Sequence, residues 1–323
     1  MVKVASGRAT GKIILMGEHS VVYGEPALAL PFSAVQVEVT VTEKKGDLSV
    51  NCSFYDGLVH EMPKIYESLK HAIRFSLYRL EQEQNPPVHV EITSSIPAER
   101  GMGSSAAVAV AVARALFSFY EKELTDQELW EIVQSSEVIA HGNPSGVDAI
   151  TTSGSQPVFY IKNQPIEGLD LNLSAYLVVG DTGQIGHTLE AVQHVADWVQ
   201  VENQGSASLD FSPQGHIASL GELTRQARIV LEADQPEVLG RLMTEAYRYL
   251  VELGVSDAKL DQLVAVACQS GALGAKLTGG GRGGCMIALA KDGQSARTIS
   301  VALLAAGAKQ TWIQWLGQEG DEV

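Results

Sequence analysis

The sequence predicts a mixed fold of β-strands and α-helices, and three observations carry that expectation. Val35, Val37, Val39 and Val41 alternate with Gln36, Glu38, Thr40 and Thr42, the period of a strand with one wet face, and Val88, Val90 and Ile92 repeat it. Between these runs Ile65, Leu69, Ile73, Leu77 and Leu80 keep helical spacing. The third is size: 323 residues with 45% apolar content suit two domains or one large one.

The elements follow in order. From Lys12 an apolar strand runs to Gly17 and then presents the polar side chains of Glu18 and His19. Residues 104 to about 120 are apolar on nearly every side, which predicts a buried helix whose alanines admit close neighbours. Thr125-Asp126-Gln127-Glu128 has the form of a capping box and starts a helix with Leu129, Ile132, Val133, Ser136 and Ala140 on one face. Glu137 falls about 80° from Leu129 at ~100° per residue, so it sits at the margin of the apolar stripe, partly desolvated and in want of a cation. In the second half Tyr176 to Gly180 reads as a short strand, followed by helical stretches over 188–203, 216–232, 236–250 and 257–269. Residues 204–215 read as a loop, and Met286 to Ala290 as a strand. A domain boundary is expected near 170–176, and no internal repeat is evident.

Four segments carry chemistry. In Pro97 to Ala107, Gly101 and Gly103 admit backbone conformations closed to other residues. Ser104 and Ser105 stand at a helix start, where free N–H groups and the helix dipole favour an anion and a hydroxyl can join a metal's shell. An ordinary capped helix after a turn is the alternative; neither a Walker loop nor a dinucleotide-binding layout is present. Glu137 suits magnesium, which takes one or two carboxylates plus substrate phosphates. Asp148 follows the turn Pro144-Ser145-Gly146, is expected to project from a loop, and can accept a proton from a substrate hydroxyl. Two structural carboxylates are the alternative. Lys12 can stabilise a developing alkoxide, and Glu18 and His19 can hydrogen-bond a polyhydroxylated substrate, although His19 alone reads sooner as a satisfied core or turn histidine than as a catalyst. Lys276 to Cys285 holds five glycines in ten residues, no helix interior but a loop able to close over phosphates, with Lys276, Thr278 and Arg282 as donors. A tight connection before a strand is its alternative. Together these segments point to phosphoryl transfer from a nucleotide to a small alcohol.

Formal net charge is −15, which repels nucleic acid and anionic membranes and argues against both as partners. A phosphate site on such a chain needs local positive charge, and Arg100, Lys276, Arg282 and Lys12 stand beside the glycine-rich or turn-like segments. Three scattered cysteines fit neither a disulfide framework nor a zinc site and suggest a reducing compartment. The longest apolar run, Ala106 to Ala113, is too short to span a bilayer, and no basic stretch precedes an apolar leader, so a cytoplasmic protein without a signal peptide is expected.

The combination resembles the GHMP small-molecule kinases, which carry three ordered motifs. Here they are the segment ending in Gly17-Glu18-His19, the glycine–serine loop 97–107 and the glycine loop 276–285. Within that superfamily, the run from Gly17 to Pro31 and His141-Gly142-Asn143-Pro144-Ser145-Gly146-Val147-Asp148 look like the mevalonate kinases. The resemblance implies an α+β fold of two domains, a ribosomal protein S5 domain 2-like N-terminal domain over 1–175 and a ferredoxin-like α+β domain over 176–323, with the active site in the interdomain cleft. By position, Asp148 matches the catalytic base and Lys12 the lysine near the acceptor hydroxyl. Ser105 and Glu137 match the magnesium ligands. Pro97, Arg100, Gly101, Met102, Gly103, Ser104, Ser105, Ala106 and Ala107 match the nucleotide loop. Glu18, His19, Thr182, Gly279 and Gly280 match the substrate side, with Thr182 the contact in Asp181-Thr182-Gly183. The chain departs from many members of the family at Ala98-Glu99-Arg100-Gly101-Met102, where many relatives place small residues; Arg100 is expected to compensate electrostatically.

The implied reaction is ATP-dependent phosphorylation of (R)-mevalonate at its 5-hydroxyl, giving 5-phosphomevalonate and ADP, with Mg2+ as cofactor and ATP as co-substrate. Alternatives are a GHMP kinase acting on phosphomevalonate, homoserine or a sugar, a mevalonate diphosphate decarboxylase, or a ligand sensor without turnover. A homodimer is a family-level expectation.

Overall fold

The computed structural model of this chain describes residues 2–83, 85–142, 144–202 and 212–317. They form two units interleaved along the sequence. The first draws its described residues from 1–12, 31–98 and 103–155, the second from 13–30, 99–102 and 156–323.

In the first unit β1 (Val4–Met16) pairs with β2 (Ala27–Glu43), and β3 (Ser49–Cys52) lies between β4 (Tyr55–Leu58) and β5 (Val88–Ser94). β5 runs antiparallel to the later part of β2, from Val37 opposite Ser94 to Glu43 opposite Val88, and parallel to β3. The expected alternation holds: Val35, Val37, Val39 and Val41 are almost wholly buried. α1 (Glu67–Arg79), α2 (Ser104–Phe119) and α3 (Asp126–His141) pack on one another. Ile65 is the exception to the α1 stripe. It lies in a 3-10 turn before the helix and is exposed.

α2 is the buried helix of the unit. Ala106, Ala107, Val110, Ala111, Val112 and Ala113 are all closed to solvent. Its small side chains let β1 approach closely: a Cβ added at Gly7 would lie 2.4 Å from the Ala111 carbonyl oxygen. α3 begins as expected, with Thr125 Oγ1 accepting from the Glu128 N–H at 3.3 Å and the Thr125 N–H donating to Glu128 Oε2 at 3.2 Å. Its inner face differs from the expected one. Ala140 is exposed, whereas Glu137 is 2% exposed and belongs to the buried side. Asp148 does not project from a loop. Gly146 caps a short helix, α4 (Val147–Ser153), at φ 93°, and Asp148 sits in its first turn.

The second unit begins with the first residues of β2, Ala27–Ala29, paired with β6 (Val158–Tyr160), which pairs in turn with β7 (Glu167–Gly168). β8 (Tyr176–Asp181) is followed by α5 (Thr188–Glu202), α6 (Pro213–Glu232), α7 (Pro236–Glu252) and α8 (Ala258–Gln269). Then come β9 (Gly274–Thr278), β10 (Cys285–Ala290), α9 (Gly293–Ala305) and β11 (Gln310–Trp315). The sheet order is β11-β8-β10-β9, with every neighbour antiparallel, which is the ferredoxin-like arrangement the resemblance implied.

Two boundaries move. Residues 204–211 of the expected 204–215 loop, and 203 of the helical stretch before it, lie outside the described residues, while 213–215 already belong to α6, where Ser212 Oγ accepts from the Gly215 N–H at 2.8 Å and Pro213 needs no hydrogen bond. Lys276 to Thr278 belong to β9, so the glycine loop is residues 279–284.

Candidate functional site

In the first unit, the start of α2, the buried face of α3 and the start of α4 bring three sequence-selected side chains to Lys12 on β1. Lys12 is 2% exposed, and its Nζ lies 3.0 Å from Asp148 Oδ1. The Asp148 side chain keeps 31% exposure. One group of the pair is therefore fixed in protein while the other still meets solvent. Gly103 makes room for the lysine. It caps α2 at φ 71°, and a Cβ there would stand 2.8 Å from Lys12 Cγ.

Because Gly103 has no side chain, no side-chain hydrogen bond caps α2, and the first-turn N–H groups of Ser104 and Ser105 stay directed toward any anion at that helix start. Pro97 is half-buried at the approach to this turn. Ala106 and Ala107 are closed to solvent, so their side chains pack rather than touch ligand.

Glu137 carries a carboxylate taken almost wholly out of solvent. Its Oε1 is buried without a hydrogen-bond partner among the described residues. Burial, and after it the Asp148 carboxylate, push its pKa up; His141, Ser105 and Lys12 oppose the shift. His141 Nε2 lies 3.6 Å from its Oε2, one turn along α3. A desolvated carboxylate oxygen with a serine hydroxyl and a second carboxylate near it is a hard oxygen donor set, and it fits a magnesium ion, which keeps water and phosphate for its other positions. The described residues hold no group of three or more His, Cys, Asp or Glu able to cage a metal alone.

Ser68 is the residue that sequence reading missed. In the first turn of α1, its Oγ lies 3.4 Å from Ser105 Oγ and 2.9 Å from Ser136 Oγ, and it donates to the Ser136 carbonyl at 3.2 Å. It thereby connects three helices beside Glu137. A serine inside a helix has no spacing signature, so nothing in the chain announces it.

In the second unit another set of selected residues converges. Lys276 Nζ bonds Glu18 Oε1 and also donates to the Leu277 carbonyl at 2.9 Å, with both charged side chains fully buried. Burial pushes the Lys276 pKa down, against the pull of Glu18. Neither side chain is thus the solvent-facing donor or acceptor that the sequence suggested. His19 stands at φ 61°, 6% exposed, with Nε2 3.0 Å from the Gly280 carbonyl oxygen. A carbonyl only accepts, so Nε2 carries the proton. Burial lowers the ring's pKa to about 4, so the ring is neutral at pH 7. Arg282 donates from Nε to the Gly254 carbonyl at 3.0 Å.

Arg100 also has an internal partner. Its Nε donates to Asp181 Oδ1 at 3.0 Å and its Nη2 to the Gly183 carbonyl at 2.9 Å. Thr182 Oγ1 donates to the Gly284 carbonyl at 2.7 Å. Gly279 packs against Gly101 so tightly that a Cβ on Gly279 would meet the Gly101 backbone at 3.1 Å. Met102, between the two loop glycines, is 1% exposed.

Comparison with known proteins agrees with both units. Residues 66–155 match the model of the GHMP kinases N terminal domain, and 228–309 that of the GHMP kinases C terminal domain. The chain is similar to a mevalonate kinase of Pyrococcus abyssi, at 34% identity over 95% of this chain and 94% of that protein. Among solved structures it is similar to the mevalonate kinase of methicillin-resistant Staphylococcus aureus, at 35% identity and a TM-score of 0.73, covering 98% of this chain and 100% of that one. It is also similar to the L. major mevalonate kinase in complex with R-mevalonate, at 26% identity and a TM-score of 0.82, covering 97% and 96%.

Proposed function

This chain belongs to the GHMP kinases, in their mevalonate kinase family, and on that premise we propose that it transfers the γ-phosphoryl group of ATP to the 5-hydroxyl of (R)-mevalonate, giving 5-phosphomevalonate and ADP for isoprenoid precursor synthesis. The observation that carries the mechanism is the Lys12–Asp148 pair beside the desolvated Glu137.

Asp148 accepts the proton of the acceptor hydroxyl as its oxygen bonds to phosphorus, and its remaining exposure leaves room for that hydroxyl to reach it. Lys12 keeps the carboxylate aimed and offsets the negative charge that develops on the oxygen. The first-turn N–H groups at Ser104 and Ser105, with the turn from Pro97 through Arg100, Gly101, Met102 and Gly103, hold the nucleotide phosphates. Ser105 and Glu137 are the residues that would hold magnesium, and the ion's chemistry there is neutralisation of phosphate charge. The raised pKa of Glu137 supports that role, because a cation is what an uncompensated buried carboxylate lacks.

His19, Thr182, Gly279 and Gly280 serve the acceptor side. Glu18, bonded to Lys276 and out of solvent, serves it by position rather than by touch. Residues 1–175 carry most of the ATP and acceptor machinery, with 176–323 as the C-terminal domain. Among the described residues no helix is long and apolar enough to cross a membrane. The net charge of −15 disfavours nucleic acid and anionic membranes as partners, and small-molecule partners in the cytoplasm and a homodimer are what the family reading implies.

The test is ADP release with a panel of acceptors under saturating ATP and magnesium. Mevalonate should be turned over, whereas phosphomevalonate, homoserine and sugars should give only background. Release of carbon dioxide, or equal rates on another acceptor, would overturn the reading.

A further inference from the structure

Three short segments of the second unit are laced together at Arg100. Residues 99–102 belong to the nucleotide loop, 181–187 run from the last residue of β8, and 279–284 form the glycine loop. Arg100 Nε bonds Asp181 Oδ1 at 3.0 Å, and that same oxygen accepts the Gly183 N–H at 2.8 Å. Arg100 Nη2 reaches the Gly183 carbonyl at 2.9 Å. The Glu99 carbonyl accepts the Gly186 N–H at 2.9 Å. On the far side of this turn, Thr182 gives both its N–H (3.0 Å) and its hydroxyl (2.7 Å) to the Gly284 carbonyl, and Gly284 returns its N–H to the Gln184 carbonyl at 3.0 Å. The ion pair is out of solvent, with the Arg100 side chain 10% and the Asp181 side chain 3% exposed.

A buried ion pair contributes little net stability, because desolvation offsets most of the attraction; its best-attested use is to fix a register. The register fixed here is that of the 181–184 turn against the loop at 99–102. The guanidinium is suited to this, since its planar fork satisfies a carboxylate and a carbonyl at once, which a lysine cannot do.

We propose that Arg100 is a positioning residue for the acceptor. Through Asp181 it holds the Thr182 turn in its working geometry, so a side chain on the nucleotide loop sets affinity for mevalonate. The inference rests on the reading above, in which 99–102 serves ATP and Thr182 serves the acceptor.

Initial rates of ADP release by the full chain, with ATP and mevalonate varied together, test it. Arg100→Met and Asp181→Asn should each raise the KM for mevalonate about tenfold, the effect of displacing one charge-assisted hydrogen bond. The double variant should be no worse than either single one, because both break the same link. The KM for ATP should move less. Arg100→Lys retains the charge without the fork and should fall between, so it gives the same readout should Arg100→Met fail to fold. A rise confined to the KM for ATP would make Arg100 a phosphate contact and overturn the inference. So would a loss of kcat with both KM values unchanged, the mark of a merely structural strut. If the unsubstituted chain releases no ADP with mevalonate, the kinase reading itself fails, and that is seen before any variant is made.

Discussion

Lys12 Nζ and Asp148 Oδ1 stand 3.0 Å apart, joining the interior of strand β1 to the first turn of a helix 136 residues later, with the lysine buried and the aspartate open to solvent on one side. If Asp148 takes the acceptor's proton, Asp148→Asn should reduce kcat by on the order of 10²-fold or more. The variant should still bind ATP. Lys12→Met should likewise act on kcat. Steady-state kinetics separate these outcomes from a mere binding defect: full activity in the asparagine variant, or a change in the methionine variant confined to ATP affinity, removes the pair from the reacting centre.

Glu137 is buried with one carboxylate oxygen unpartnered among the described residues. Glu137→Gln keeps the shape and removes the charge. The concentration of magnesium needed for half-maximal rate should rise by at least about tenfold, the loss of one charged ligand. A magnesium titration of the rate is the measurement, and an unaltered curve counts against ligation.

The Glu18–Lys276 pair has no solvent on either side chain. Lys276→Met removes the cation that the buried Glu18 carboxylate bonds, and should cost about 3–5 kcal/mol of folding stability. Replacing both residues by apolar ones of similar volume should recover most of that loss. Urea unfolding of the two variants decides it. Equal stabilities for the single variant and the parent would mean that the pair is not buried as described.

His19 gives the chain a pH dependence of known sign. Its pKa falls from 6.5 to about 4 on folding, mainly through burial. Between those values the unfolded chain carries a proton that the folded chain refuses. The stability linked to His19 is therefore complete above pH 6.5 and is lost as pH falls toward 4, roughly 3 kcal/mol in all. Between pH 7 and 4.5 the parent should lose about 2 kcal/mol more than His19→Asn in urea unfolding. Parallel losses would show that His19 titrates normally in the folded chain.

Local features of this protein are legible in its sequence and long-range pairings are not. The valine alternation of β2 and the Thr125 capping box each span a few residues, and both have the expected form. Lys12, Glu137 and Asp148 could be selected because their neighbours in sequence look like parts of a phosphate enzyme. Their surroundings could not be read. An angle of about 80° from Leu129 places Glu137 at the stripe's margin, but its burial depends on how α1, α2 and α4 pack on α3. The partners of Arg100 and Lys276 lie 81 and 258 residues away, and only folding reveals that these cations meet carboxylates. The seven residues between Gly146 and Gly154 make barely two helical turns, too few for an apolar stripe to repeat, which is why Asp148 read as a loop residue. β11 is half-buried along nearly its whole length and shows no clean alternation for sequence to display.

The phosphoryl transfer forms a bond between the γ-phosphorus of ATP and the 5-oxygen of mevalonate. Phosphorus NMR of the reaction of this chain with ATP, magnesium and (R)-mevalonate observes that bond directly. A phosphate-ester resonance coupled to the C5 methylene protons, growing in step with ADP, is the expected result. ADP accompanied only by inorganic phosphate, or no ADP at all, would contradict it.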